Sequence, residues 1–458
     1  METLTYWTAQ FSSFAWGLPL LIVLVGGGIF FFGYSSLLPF RYFGHAIQIL
    51  RGKYDDPNDP GQLHHFQALS TAVAATVGMG NISGVAVAIA VGGPGALFWM
   101  WMSAIIGMAT KFFTCTLAIM YRGKDSAGEI QGGPMYVIME GLGTAWKPLA
   151  VFFSLAALIG ALPLFTANQL TQSLVDVVIY PQGMPEGSRI HLWIGLIMAA
   201  VVAVVILGGI KRIGAVAGRL VPTMVVLYAL AVGYILVTHA SDIPASFQLI
   251  FKDAFTASAV LGGAVAELIR TGVRRAAFSN EAGVGTAPMA HGAAKTDEPI
   301  REGLIAMLGP AIDTLLVCTL TALAIIVTGV WVDSEANGIT LTLQAFEKAM
   351  PGWGANVLMV CVAIFSVTTL FTFSYYGTKA LGFLAGAKRK GLYNYIYLAG
   401  IVFGAAVPIE AVLNIIDGGY GLMAFPTMIS AILLAPKVKA AAKDYFSRMA
   451  VQKSSPDS

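Results

Sequence analysis

An all-α integral membrane protein with about eleven transmembrane helices is the fold class that this sequence predicts. Three observations lead to it. Of 458 residues, 57% are apolar and only 11% charged, with a mean hydropathy of +0.75, whereas a soluble domain carries roughly 25% charge. The apolar residues come in runs of about 20, the length that crosses a bilayer as a helix, and such long runs exclude a barrel, whose strands need about 10 residues. The runs recur along the whole chain with no polar segment standing apart, so a single membrane domain covers residues 1–458.

The expected spans, in order, lie near 15–35, 66–91, 94–120, 148–179, 191–209, 214–238, 257–290, 303–329, 353–385, 392–408 and 411–434. The apolar run at 14–32 has no basic flank before it and no small-residue cleavage site after it, so it reads as a span that stays, not as a signal peptide. Gly92-Gly93-Pro94-Gly95 reads as the turn between spans two and three, and Val407-Pro408-Ile409-Glu410 separates spans ten and eleven. Cys115, Cys318 and Cys361 all fall inside apolar runs and read as small hydrophobes.

Lys and Arg distribution orients the spans. With the amino terminus outside, 21 basic residues fall in cytoplasmic segments, Lys111 and those of the tail among them. Only Arg189, Lys252 and Lys348 fall outside, and three arginines lie within span seven. The expected location is therefore the cell's inner (plasma) membrane, crossed many times, with the carboxyl terminus cytoplasmic. The segment 435–458 reads as a cytoplasmic tail, a short amphipathic helix on the anionic membrane surface followed by a Ser/Pro end. A formal charge of +3 is too slight to imply a nucleic-acid partner.

Two spans carry their own interruptions. Span two holds Ala75-Thr76-Val77-Gly78-Met79-Gly80-Asn81-Ile82-Ser83-Gly84 at its middle. Glycine weakens the helix there and frees backbone N–H and C=O groups to meet a ligand; close packing of small residues is the alternative. Span seven holds Phe278-Ser279-Asn280-Glu281-Ala282-Gly283-Val284-Gly285-Thr286-Ala287-Pro288, in which Asn280 and Gly283 repeat the three-residue step of Asn81 and Gly84. The two interruptions come first in two groups of five spans that begin on opposite sides. The chain therefore reads as an extra first helix at 15–35, a repeat at 66–238 and an inverted repeat at 257–434. Discontinuous helices at matching places are the sequence pointer to a secondary transporter's site.

Around these breaks, Glu281 reads as an attractor of a cation or proton, or as a cap on the inner half-helix. Arg270, Arg274 and Arg275 precede it and either line an external vestibule or pair with Glu267 and Glu281. Gln169, beside Asn168 and Thr171 in span four, either satisfies a helix contact or hydrogen-bonds a zwitterion. In span nine, Ser366, Thr369 and Thr372 repeat every three residues; their hydroxyls either bond the carbonyl one turn back or join carbonyls of span two in an oxygen cage suited to a hard cation. Asp417, in span eleven, is a lower-ranked polar group near the outer mouth.

At Gly78-Met79-Gly80-Asn81-Ile82-Ser83-Gly84, and above all at Phe278-Ser279-Asn280-Glu281-Ala282-Gly283-Val284-Gly285, the sequence resembles the alanine or glycine:cation symporter family over essentially its whole length. The resemblance implies a LeuT-like 5+5 inverted repeat preceded by one helix, and sodium-coupled import of small neutral amino acids, chiefly alanine and glycine. It implies that Gly78, Gly80 and Asn81 contact the amino acid, that Gln169 lines the same pocket, and that Phe278, Ser279 and Asn280 close it. It places sodium with Ser366 and Thr369 and with carbonyls near Thr76 and Met79. A pocket enclosed by Phe278, Phe365 and Phe371 has little room beyond a methyl group. Sodium is the expected coupling ion and no cofactor is implied; membrane lipid is the surrounding partner, and no protein partner is evident. Proton coupling through Glu281 is the alternative, and a channel a more remote one, since no repeated filter loop is visible. An enzyme is not expected, because His45, His64, His65, His191, His239 and His291 are scattered without zinc-like spacing.

Overall fold

The computed structural model describes residues 2–56, 58–179, 181, 188–255, 264–332 and 334–454, and these are almost wholly helical. The helices are α1 (Glu2–Ala15), α2 (Leu18–Tyr34), α3 (Phe43–Leu50), α4 (His65–Thr76), α5 (Met79–Gly92), α6 (Ala96–Met120), α7 (Lys147–Gly160), α8 (Leu164–Leu174), α9 (Ser188–Ile206), α10 (Gly209–Thr238), α11 (Ile243–Ala254), α12 (Ala264–Asn280), α13 (Thr286–His291), α14 (Pro299–Thr328), α15 (Ile339–Ala349), α16 (Gly354–Ala385), α17 (Leu392–Ala406) and α18 (Ile409–Ser454). One short antiparallel pair, Gly123–Lys124 with Ile130–Gln131, follows α6.

Burial sorts the helices into centre and rim. The most apolar 18-residue stretch of the α4–α5 element is entirely buried inside the molecule, whereas that of α9 is 22% buried. On α9, Trp193, Ile197, Val201 and Val204 form an exposed stripe at helical spacing, and Val226, Leu230, Tyr234 and Val237 do the same on α10. Water would not tolerate such stripes on adjacent helices, but lipid does. Among the described residues, eight helices are long and apolar enough to cross a membrane, or nine if α1 and α2, bent by 46° at their junction, count as one.

Besides span one, which meets that standard only when α1 and α2 are joined, two expected spans fall short of it, for different physical reasons. Span seven, placed at 257–290, is carried by α12 and α13, with 256–263 outside the described residues; α12 bears Glu267, Arg270, Arg274 and Arg275. Span ten is α17, only 15 residues long. Four helices, α1, α3, α11 and α15, were not expected, because none of them holds a long apolar run.

At the carboxyl end the helix does not stop at Pro436 but continues to Ser454. Its last turns dock on protein: Phe446 stacks on Tyr42 at 3.6 Å and the Tyr445 hydroxyl lies 2.7 Å from His45 Nε2. That packing offsets the backbone hydrogen bond that Pro436 cannot make.

Candidate functional site

Both glycine-rich segments are breaks. α4 ends at Thr76, Val77 and Gly78 leave helical geometry, and α5 starts at Met79. The Asn81 Oδ1 accepts the Gly78 N–H at 2.9 Å, capping the new helix from within. In the second, α12 ends at Asn280, then Glu281, Gly283 and Gly285 take φ of 55°, 84° and 108° before α13 begins. The Asn280 Oδ1 accepts the Ala282 N–H at 3.0 Å, so each break is organised by its own asparagine. The breaks also touch: a Cβ on Gly80 would stand 3.4 Å from both Phe278 Cδ1 and Ser279 Cα. That is van der Waals distance, so the two breaks are in direct contact at Gly80.

Where they meet, a cavity of about 30 Å³ is lined by Thr76, Met79, Gly80, Phe278, Glu281 and Thr369, together with Phe165, Phe373, Tyr397 and Tyr420. That is room for about two waters, so a larger guest requires its walls to move.

The remaining residues singled out in the sequence are placed elsewhere. Asn81 Nδ2 points to α14, donating to the Asp313 carbonyl at 3.2 Å and toward Cys318 Sγ. Ser279 donates to Asp313 Oδ1 at 2.7 Å, and Asn280 Nδ2 to Thr314 Oγ1 at 3.0 Å. These three tie the breaks to α14. Gln169 is buried but faces a second, separate cavity of about 390 Å³; its Oε1 accepts the Ser83 hydroxyl and the Ile339 N–H (3.2 Å), and its Nε2 donates to Asn168. Phe365 packs edge-on against Tyr228, and Phe371 is buried away from the cavity. Phe373, one turn beyond Thr369, takes the wall position; the four-residue step was legible in the sequence.

The hydroxyl stripe divides. Thr372 bonds the Thr368 carbonyl at 3.2 Å, one turn back, and Thr369 bonds both the Phe365 carbonyl and the Ala74 carbonyl of α4, each at 3.0 Å. Ser366 Oγ is fully buried with no hydrogen-bond partner among the described residues. A buried hydroxyl without a partner is costly, and an oxygen-seeking cation would satisfy it.

Charges pair differently from the expectation. Arg274 and Arg275 do not reach Glu281 but converge on Asp417 Oδ2 at 2.6 and 2.5 Å, and Arg270 meets Glu267 at 3.4 Å. Asp417, ranked low in the sequence, is thus the anchor of two arginines. Glu281 accepts the Thr286 and Tyr420 hydroxyls, the latter at 3.0 Å, rather than backbone amides. Nor is it the only carboxylate beside the breaks: Asp313 is equally buried and holds Ser279 and Thr314. Lys111 and Lys379, counted among cytoplasmic residues from the sequence, are buried within α6 and α16; the basic count becomes 19 to 3 without them. A charge within an apolar run is the signal that would have found Lys111 and Asp313.

At the end of the bundle bearing Arg122, the two broken elements are stitched together. The Arg122 guanidinium donates to the carbonyls of Pro60, Gly292, Ala294 and Thr296. Backbone bonds run from Gln62 to Ala293 (2.8 Å) and from Lys295 to Leu63 (2.6 Å). His65 and His291, far apart in sequence, share the Glu302 carboxylate. Among the described residues no group of His, Cys, Asp and Glu has the arrangement of a metal site.

Comparison with known proteins gives the family and the fold. The chain is 39% identical over 446 residues to an uncharacterized transporter of Haemophilus influenzae, covering 96% of this chain and 95% of that one. It is 39% identical over 441 residues to a sodium/alanine symporter of Methanococcus maripaludis, covering 95% of each. It is 35% identical over 431 residues to a probable sodium/glutamine symporter of Bacillus subtilis, covering 94% and 88%. In structure it is similar to MhsT in complex with L-phenylalanine, with a TM-score of 0.59 at 13% identity over 83% of this chain and 98% of that one. That likeness gives a LeuT-like fold. Both family and fold are those of transporters, not enzymes. With a family match spanning residues 1–457, the chain belongs to the sodium:alanine symporter family and acts in a membrane as a cation-coupled amino-acid symporter.

Proposed function

We propose that the protein imports alanine and glycine with sodium by alternating access. The observation that carries this reading is the meeting of two broken helices, Thr76 to Met79 and Asn280 to Thr286, around one small cavity. The eleven spans comprise one extra helix and two inverted five-helix repeats, with the amino terminus outside and the carboxyl terminus inside the cell's inner membrane. The half-helix amino ends at Met79 and Thr286 favour the substrate carboxylate, while the carboxyl ends at Thr76 and Asn280 favour the ammonium. Gly78, Gly80 and Asn81 border the substrate from one repeat and Phe278, Ser279 and Asn280 from the other. Gln169 and Phe365 lie outside the cavity lining and are given no contact with the substrate. Sodium sits with Ser366, Thr369 and the carbonyls near Thr76 and Met79, and the unpartnered Ser366 hydroxyl supports that placement.

The cavity's size supports glycine and alanine over bulkier substrates, because each added methylene requires further displacement of Phe278 and Phe373. In proteoliposomes, an imposed sodium gradient is expected to drive concentrative alanine uptake, glycine to compete at similar concentration, and leucine and glutamine to compete poorly. Glutamine uptake at alanine-like affinity would reject the size argument. Uptake driven by a proton gradient alone would favour the second reading, in which Glu281, which lines the cavity, carries the coupling proton.

Ser366→Ala removes one oxygen from the proposed cation site and no hydrogen bond. It is expected to raise the sodium concentration for half-maximal uptake at least about fivefold, a weakening of about 1 kcal/mol, without lowering the unfolding temperature. An unchanged sodium dependence would remove Ser366 from the site.

A further inference from the structure

His65 is the first residue of α4 and His291 the last of α13, so the two rings mark the inner ends of the half-helices on either side of the breaks. Both are buried, and Nδ1 of each meets a different oxygen of Glu302, that of His291 at 2.5 Å. Both Nε2 atoms are buried with no hydrogen-bond partner among the described residues, so one carboxylate is the polar anchor of both rings.

Glu302 stands on tightly packed ground. It lies in the first turn of α14, where the helix amino end stabilises a carboxylate. Beside it, a Cβ on Gly303 would stand 2.0 Å from Thr116 Oγ1 and 2.8 Å from the Phe112 carbonyl, which sets α14 directly on α6. The neighbouring arginines are engaged elsewhere: Arg122 with the four carbonyls named above, and Arg301 with the Tyr54 carbonyl at 3.4 Å.

The half-helices that Glu302 holds lie between two spaces. Thr76, at the far end of α4, lines the cavity of about 30 Å³; Gln62, just before its start, lines another of about 450 Å³ that also reaches the exposed Lys211. Glu281, before α13, lines the first, and the Met289 carbonyl near the end of α13 accepts at 2.9 Å from Lys379, which lines the second. Passage from one space to the other requires α4 or α13 to move away from α14.

We infer that Glu302 is the positioning residue of the inner gate: by holding His65 and His291 at once it keeps both half-helices shut, and their release opens the path to the larger cavity. The inference rests on the alternating-access reading above and adds to it the residue that sets the resting state. Glu302→Gln loses the charge and one acceptor and so weakens both contacts, whereas His291→Gln weakens one.

Cys115 reports the gate in the natural sequence, because it is buried against Ala287 of α13 and Ala306 of α14. Cys361, buried on α16, is the control for general loosening. Labelling of each by N-ethylmaleimide is read by peptide mass spectrometry on purified protein in sodium-free choline chloride, without alanine. Glu302→Gln is expected to raise the Cys115 rate at least about tenfold, and His291→Gln by less, with Cys361 unchanged. A Cys115 rate equal to that of the natural protein, or a parallel rise at Cys361, overturns the inference. If Glu302→Gln does not fold, His65→Gln and His291→Gln, each of which leaves one contact intact, decide by the same two rates; failure of all three to fold also overturns it, since the cluster then serves stability alone. Protection of Cys115 by Glu302 in a natural protein that takes up neither alanine nor glycine rejects the substrate assignment and leaves the gate standing.

Discussion

Asp417→Ala is expected to cost about 3–5 kcal/mol of stability, because it removes the shared acceptor of two arginines while leaving their charge in place. Arg275 is 6% exposed and has no other carboxylate partner among the described residues. The loss reaches further than one ion pair. The Asp417 carbonyl accepts the Trp16 indole N–H at 2.7 Å, at the bend between α1 and α2. Arg274 lies 5.9 Å from the Trp16 ring centre, and Arg275 lies 5.2 Å from that of Phe278. The carboxylate thus ties α18 to α12 and, through Arg274 against Trp16, to the amino-terminal helices, and through Arg275 it steadies a wall of the cavity, while the main-chain bond to Trp16 survives the substitution. Thermal unfolding followed by size-exclusion chromatography in detergent would measure the effect. Asp417→Leu combined with Arg275→Met is expected to recover most of the loss, since an apolar pair needs no compensation; an unshifted unfolding temperature in Asp417→Ala would show that the arginines are satisfied elsewhere.

Asn81→Ala is expected to abolish coupled uptake, by at least about tenfold, while the protein stays folded. The side chain fills both of its roles at once. Its oxygen holds the Gly78 N–H at the first break, and its amide bridges to the Asp313 carbonyl on α14. Truncation leaves both groups buried and unpaired, at roughly 1–3 kcal/mol each, and releases the geometry of the break where the substrate's polar end is proposed to bind. Asn81→Asp keeps the oxygen and loses the donor, so it separates the two roles. Radiolabelled alanine uptake into proteoliposomes at fixed sodium is the measurement. Uptake by Asn81→Ala equal to that of the natural protein would mean that the break is held by its glycine geometry alone.

The breaks were legible because their causes are local. Gly78, Gly80 and Asn81, and Asn280, Gly283 and Gly285, are stretches where glycine abandons the helix and an asparagine side chain replaces the missing backbone partner, all within a few residues. The long spans were legible for a related reason, since the bilayer imposes length and composition on each segment separately. Gln169 shows the limit. Its chemistry was recognised, but whether it faces the cavity or α15 depends on how α8 and α15 are set against each other.

By itself, then, the amino-acid order determined a multi-helix membrane protein, the two places where helices break and the family to which those motifs point. Only the tertiary structure decided how the buried charges are shared: Asp417 with Arg274 and Arg275, Glu302 with His65 and His291, and Glu281 with Thr286 and Tyr420. Helical periodicity places a side chain on a face of its own helix. A charge removed from water takes whatever partner packing brings near, and except at Thr286 and His291 those partners lie on distant parts of the chain.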